Sequence, residues 1–218
     1  MSAKVRSIKG TLLLEDDVVS IGRAAYLLKT GRLVAFPTET VYGLGASAYN
    51  AKAVEKIFKA KGRPGDNPLI VHLHSLEQLT EVAVDVSDKA YFLCEKFWPG
   101  PLSLILKKKS LIPDQVSAGL PTIAVRMPDH RVALDLIRVS GVPVAAPSAN
   151  RSGAPSPTSY KHVLEDLAGK IDAVIKSDQC LIGVESTVLD LTGSEPVILR
   201  PGGVTRENLE AALGSRVK

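Results

Sequence analysis

AFPTETVYGLGA, residues 35–46, begins apolar, meets Pro37, and then sets Thr38, Glu39 and Thr40 in a row before Val-Tyr-Gly-Leu-Gly. Leu33 to Phe36 read as a buried strand that Pro37 ends. Ordinary turns place Asn, Asp, Gly or Ser at one or two positions. Hydroxyl, carboxylate and hydroxyl together at a strand end suit a ligand site better than a corner. Gly43 and Gly45 would let the chain turn close to that ligand.

Working outward, strands and helices alternate. Residues 17–30 fit a helix stopped by Gly31, and Asn50 caps a second helix that Gly62 terminates. PLIVHLH (68–74) reads as a strand, followed by helical segments at 75–82 and 87–97. LSLILK, TIAVRM and VPVAA read as strands, with Asp129 capping a helix over 130–139. Residues 159–168 look helical; DAVIKS, STVLDL and PVILR look like three closing strands, and Thr205 caps a last helix. The order predicts an α/β fold with a largely continuous, mixed sheet. No Pro/Gly/Ser linker divides it, so one domain over 1–218, with its core at about 15–203, is expected.

A chain of 218 residues needs no staples, because it buries about 70% of its unfolded surface. Cys94 and Cys180 are far apart and in no metal spacing, as in a reduced, cytoplasmic protein. The start, MSAKVRSIKG, is basic without an apolar core, and no apolar run is long enough to span a membrane. A net charge of +4 suits nucleotide or RNA contact, but equally a solvated basic surface.

The common signatures are missing. The only Gly-Lys, Gly169-Lys170, precedes Ile171, so there is no Walker loop, and GLGASA lacks the third glycine of a dinucleotide fingerprint. His-Glu-x-x-His and Gly-x-Ser-x-Gly do not occur. His72 and His74 share one face of a strand, which does not make a protein-bound metal site.

Five segments are polar in a similar way. Lys61 and Arg63 follow a helix, with Asn67 and His72 beyond them. Thr122 and Arg126 share one face of a strand, and an arginine among apolar residues is rarely buried without an anion. Ser148, Asn150, Ser152 and Ser156 occupy one loop after a buried strand; Glu185, Ser186 and Thr187 begin another strand; Arg200 ends one. Each has a local explanation: charges at a helix C-terminus, a polar turn, a structural ion pair for Arg126. Together they argue for one site, since open α/β sheets bind ligands beyond strand ends.

PTETVYGLG, KGRPGDNPLIVH, WPGPLS, TIAVRMP, APSANRSGAPSPT, STV and RPG, in this order from about Leu33 to Gly202, resemble the YrdC-like family of threonylcarbamoyl-AMP synthases. Lys-x-Arg with Ser-x-Asn is the specific combination. The resemblance implies a single-domain twisted mixed β-sheet flanked by helices, with a concave positive face. Longer members carry a second C-terminal domain; this sequence ends at Lys218 and looks like the single-domain form. The implied reaction joins L-threonine, bicarbonate and ATP into L-threonylcarbamoyl-AMP and pyrophosphate. A separate transferase complex then uses the product to modify tRNA.

The resemblance places Thr40, His72, Arg126, Ala146 and Ser186 at threonine, with Arg126 on its carboxylate. His72 or a neighbouring hydroxyl would receive threonine's own hydroxyl. Arg63, Asn67, Thr122, Ser148, Ser156 and Arg200 would meet ATP, and Lys61, Arg63, Ser148 and Asn150 form the catalytic set, with Lys61 and Arg63 facing the triphosphate. Magnesium would arrive with ATP, held by few or no protein carboxylates. No general base stands out, though Glu39 or Glu185 could assist amine deprotonation. Trp98 reads as packing, and Lys107 to Lys109 as a solvated strand end. Two rivals are an RNA-binding module of the same fold and the carbamoyl-AMP-forming module of hydrogenase maturation proteins. Only 5% aromatic residues and two cysteines speak against them.

Overall fold

The computed structural model describes residues 6–218. Residues 1–5, half of the basic segment read as lacking a secretory signal, therefore lie outside the described residues. The strands are β1 (Arg6–Ile8), β2 (Thr11–Leu14), β3 (Val34–Phe36), β4 (Gly43–Ser47), β5 (Ile70–His72), β6 (Ala83–Val84), β7 (Leu102–Lys108), β8 (Thr122–Arg126), β9 (Val144–Ala146), β10 (Ala173–Ile175), β11 (Thr187–Asp190) and β12 (Val197–Arg200). The helices are α1 (Val18–Lys29), α2 (Ala51–Lys61), α3 (Leu79–Val82), α4 (Asp88–Phe97), α5 (Asp114–Ser117), α6 (Arg131–Ser140), α7 (Tyr160–Leu167) and α8 (Arg206–Leu213).

One mixed sheet runs β1-β2-β10-β3-β4-β9-β5-β8-β7-β11-β12, with β6 added to β7. Apolar side chains on both faces explain the long buried runs, and each face carries helices. On one face Ile21, Ala24, Ala25 and Leu28 of α1 join Val132, Ala133, Leu136 and Ile137 of α6 over Val34, Phe36, Val144 and Ala146. On the other, Val54, Ile57 and Phe58 of α2 and Leu93 of α4 belong to the larger core. Among the described residues no helix is long and apolar enough to cross a membrane.

Helix ends follow local chemistry. Asn50 caps α2 and Gly62 ends it in the left-handed region at φ 62°; Thr205 forms a capping box with Asn208. Three sequence expectations change. His130, not Asp129, caps α6, its Nδ1 accepting from the Val132 amide. Residues 43–47, expected to turn at their glycines, form the buried strand β4. A Cβ at Gly45 would lie 2.7 Å from a Val144 methyl and 2.9 Å from the Phe36 ring, so packing, not turning, requires that glycine. The three closing strands also separate: β10 inserts in parallel between β2 and β3, while β11 and β12 finish the opposite edge. Trp98 is buried, its indole N–H donating to the Leu102 carbonyl. Lys107 is exposed beside Asp85, but Lys108 is mostly covered and pairs with Asp114.

Candidate active site

Sheet register builds the floor of the site. His72 pairs directly with Arg126 across β5 and β8, and Ile70 lies between Ala124 and Ala146. Directly paired residues share a face, here the one packed by α1 and α6. That face opens into a cavity of about 390 Å³ lined by Thr40, His72, Arg126, Ala146 and Ser186 together with Arg63, Asn67, Ser148, Glu185 and Arg200. A second cavity, about 270 Å³, is lined by Lys61, Arg63, Asp66, Asn67, Ser148, Asn150 and Ser152. Arg63, Asn67 and Ser148 border both, which makes them one groove. Thr122 shares the face of Arg126 but lies outside both linings. Ser156 is also outside them and touches the groove through Glu185.

At one end the hydrogen-bond directions around Thr40 can be assigned. The Thr38 hydroxyl donates to the Val41 carbonyl at 2.6 Å, so Thr40, 2.9 Å away, is the donor between the two threonines. Arg126 Nη1 donates to Thr40 Oγ1 at 3.1 Å. Thr40 therefore keeps only an acceptor position for a ligand. His72 behaves alike. With its proton on Nδ1, 3.2 Å from the Ile70 oxygen, the ring donates to that carbonyl and leaves Nε2 as an acceptor. Burial, reinforced by Arg126, pushes the His72 pKa down to about 3, so the ring is neutral. Arg126 is 3% exposed; Nε donates to the Gly100 carbonyl, and Nη2 lies 2.7 Å from Glu39 Oε1. An arginine flanked by two acceptors suits a zwitterion: carboxylate to the cation, ammonium or hydroxyl to Thr40 and His72.

The other end is more cationic. Lys61, 2% exposed, donates to the Ser148 and Asn150 carbonyls and to Asn150 Oδ1. Asn150 in turn donates to the carbonyls of Arg151 and Ala154. Lys61, expected to face phosphate, lines the second cavity, and its ammonium donors hold the Ser-x-Asn loop. Burial and the neighbouring Arg63 push its pKa down to about 8. Half-buried Arg63, with one bond to the Asn67 carbonyl at 3.3 Å, is the freer cation. Arg200 holds the Ser186 carbonyl at 2.8 Å and pairs with Glu185, which also accepts from Ser156 at 3.0 Å.

Two carboxylates thus take places that sequence reasoning did not assign. Glu39 is the anion that buried Arg126 requires, yet nothing in its position beside two threonines marks a partner so distant in sequence. Glu185 bridges two residues expected at ATP. Sequence reading places Glu39 in the polar triplet and Glu185 in one of the five polar segments, and gives both only a possible part in amine deprotonation. Glu39 lies outside both linings, against Arg126. No group of three or more metal-ligating side chains occurs among the described residues.

Residues 26–202 match the Sua5/YciO/YrdC family, whose description is telomere recombination. The chain is 56% identical over 191 residues to threonylcarbamoyl-AMP synthase of Pyrococcus abyssi, covering 88% of this chain and 56% of that protein. It is 55% identical over 202 residues to the Bacillus subtilis enzyme of that name, covering 92% and 58%. The chain therefore spans little more than half the length of these curated relatives. The structure of P. abyssi Sua5 complexed with L-threonine superposes with a TM-score of 0.91 at 52% identity, over 94% of this chain and 62% of that one. Escherichia coli YciO shares the fold, with a TM-score of 0.76 at 24% identity, over 87% of this chain and 94% of that one. On this match, and with a mixed sheet flanked by helices, the chain belongs to the Sua5/YciO/YrdC family.

Proposed function

We propose that this chain makes L-threonylcarbamoyl-AMP and pyrophosphate from L-threonine, bicarbonate and ATP, as a single domain. The observation that carries the reading is the shared groove: Arg126, Thr40 and His72 at one end, Arg63, Ser148 and the Lys61-held loop at the other. The relatives' name and the threonine bound to P. abyssi Sua5 support it.

Threonine's carboxylate sits against Arg126, and its amine faces the acceptors Thr40 and His72. The ammonium gives one proton to solvent; the amine nitrogen then bonds to carbon dioxide released from bicarbonate, and its second proton joins the hydroxide left by bicarbonate, giving a carbamate and water. Enclosure shields that short-lived anion from water. A carbamate oxygen then attacks the α-phosphorus, and the bond to the bridging oxygen breaks, releasing pyrophosphate. Positioning and charge stabilisation carry this step, supplied by Arg63, Arg200 and the Lys61 charge. Magnesium would arrive with ATP and supply charge neutralisation on its phosphates, with few or no protein carboxylates holding it. A pocket that accepts a hydrogen bond from threonine's hydroxyl rejects analogues without it by about 10⁴-fold or more. The product passes to a tRNA threonylcarbamoyl-transferase complex in the cytoplasm. An RNA-binding module is less well supported, because the strongest cations, Arg126 and Lys61, are buried.

The test is pyrophosphate release with threonine and bicarbonate omitted in turn. Loss of signal in both omissions is expected; release from ATP alone would refute the reading.

A further inference from the structure

Arg126 enters the cavity floor almost wholly buried, and three separate backbone or side-chain groups set its guanidinium. Gly100 holds Nε, Thr40 holds Nη1, and Glu39 faces Nη2 at 2.7 Å. Two of the three come from consecutive residues. The turn carrying them is itself pinned by the Thr38 hydroxyl, which accepts from the Thr40 and Val41 amides. The Glu39 contact differs from the other two. Arg126 Nη2 and both Glu39 carboxylate oxygens are buried without an aligned hydrogen-bond partner. The two charges touch there, buried together.

A buried ion pair left in this state is a poor stabilising device, since well-packed apolar residues often replace such pairs without loss. Its position explains it better. Glu39 lies behind Arg126, outside the cavity lining, while Arg126 is in it. We propose that Glu39 is a positioning residue: its carboxylate oxygen, 2.7 Å from Nη2, holds the Arg126 guanidinium so that the cation faces a ligand carboxylate at the amino-acid end. The idea rests on the reading of the cavity as an amino-acid site. Glu39 then governs amino-acid binding and not nucleotide binding, because its carboxylate meets the groove at Arg126, at the end lined by Thr40 and His72.

The experiment compares wild type, Glu39→Ala and Glu39→Gln in pyrophosphate release, with KM measured separately for L-threonine and ATP. Glu39→Ala is expected to raise the threonine KM about tenfold or more while the ATP KM and kcat at saturating threonine stay within about threefold. Glu39→Gln, which keeps an acceptor at the same reach, recovers most of the loss. Equal rises in both KM values, a fall in kcat alone, or a Gln variant no better than Ala would overturn the proposal. A second readout needs no substrate: the Arg126 Nε–H resonance, assigned by its loss in Arg126→Lys, is sharp and slow to exchange in wild type. It broadens or exchanges rapidly in Glu39→Ala and is retained in Glu39→Gln. An unchanged resonance in Glu39→Ala defeats positioning even if the enzyme is a synthase. Threonine-independent release by wild type defeats the synthase reading while the resonance still decides positioning. Should Glu39→Ala not fold, Glu39→Gln decides: a fast-exchanging resonance or a tenfold higher threonine KM in it overturns the proposal.

Discussion

At one end of the groove Arg126 faces Glu39, carboxylate against guanidinium; at the other, Lys61 meets three oxygens of the Ser148–Asn150 segment, none of them a carboxylate. Both cations are buried to within 3% of completely. The first is neutralised in place, and on the proposed reading it meets a ligand of one negative charge. The second stays a net positive charge beside Arg63, and burial lowers its pKa accordingly. The difference teaches that burial alone does not define a cation's role. A compensated cation selects an anion by geometry, whereas an uncompensated one answers charge that develops during reaction.

Removing one partner of the compensated pair has the largest expected effect. Arg126→Met strands Glu39 in the interior and should cost on the order of 3–5 kcal/mol in stability, read by denaturant unfolding. Combining it with Glu39→Leu should recover most of that loss, while threonine binding stays absent. A double variant no more stable than the single would break the comparison.

Lys61→Ala should lower kcat by about 10²–10³ and leave the threonine KM nearly unchanged, because the charge and the loop support lie at the phosphate end. A threonine KM that rises as much as it does in Arg126→Ala would mean the two ends are not separable.

Lys61 also gives a pH test with two opposite signs. Its ammonium loses its proton as pH rises past about 8, so turnover at saturating substrate should fall there. Its stability term runs the other way. The folded pKa lies below the unfolded value of 10.5, the unfolded chain binds more protons between the two, and stability rises across that window. Turnover that stays flat from pH 7 to 10 would contradict the assignment.

His72 gives the smallest effect. Its folded pKa of about 3 lies below the unfolded 6.5, so the unfolded chain again binds more protons, and the stability from keeping the ring neutral is lost as pH falls. Between pH 6.5 and 5 the loss should be roughly 1–2 kcal/mol, and His72→Asn should remove that slope. A variant with the wild-type slope would exclude a buried neutral imidazole.

What the sequence made legible was local. Asn50, Gly62 and Thr205 mark helix ends because capping depends on a few neighbouring atoms. Arg126 could be read as needing an anion, but not which one, since Glu39 reaches it only once β3 and β8 enter the same sheet. Gly43 and Gly45 suggested a turn because glycine suits turns; their strand appears only when Phe36 and Val144 are seen against them. β10 could not be placed from DAVIKS alone, because insertion between β2 and β3 depends on sheet order. Thr122 was correctly placed on the face of Arg126, yet strand rise carries it beyond the cavity.

The central claim is that one groove joins an amino acid's carbon-dioxide adduct to a nucleotide. The most direct measurement is NMR of the reaction mixture with ¹³C-bicarbonate, L-threonine and ATP. The account expects a new carbamoyl ¹³C resonance split by coupling to ³¹P, appearing together with pyrophosphate. Pyrophosphate and AMP accumulating without ¹³C–³¹P coupling would contradict it.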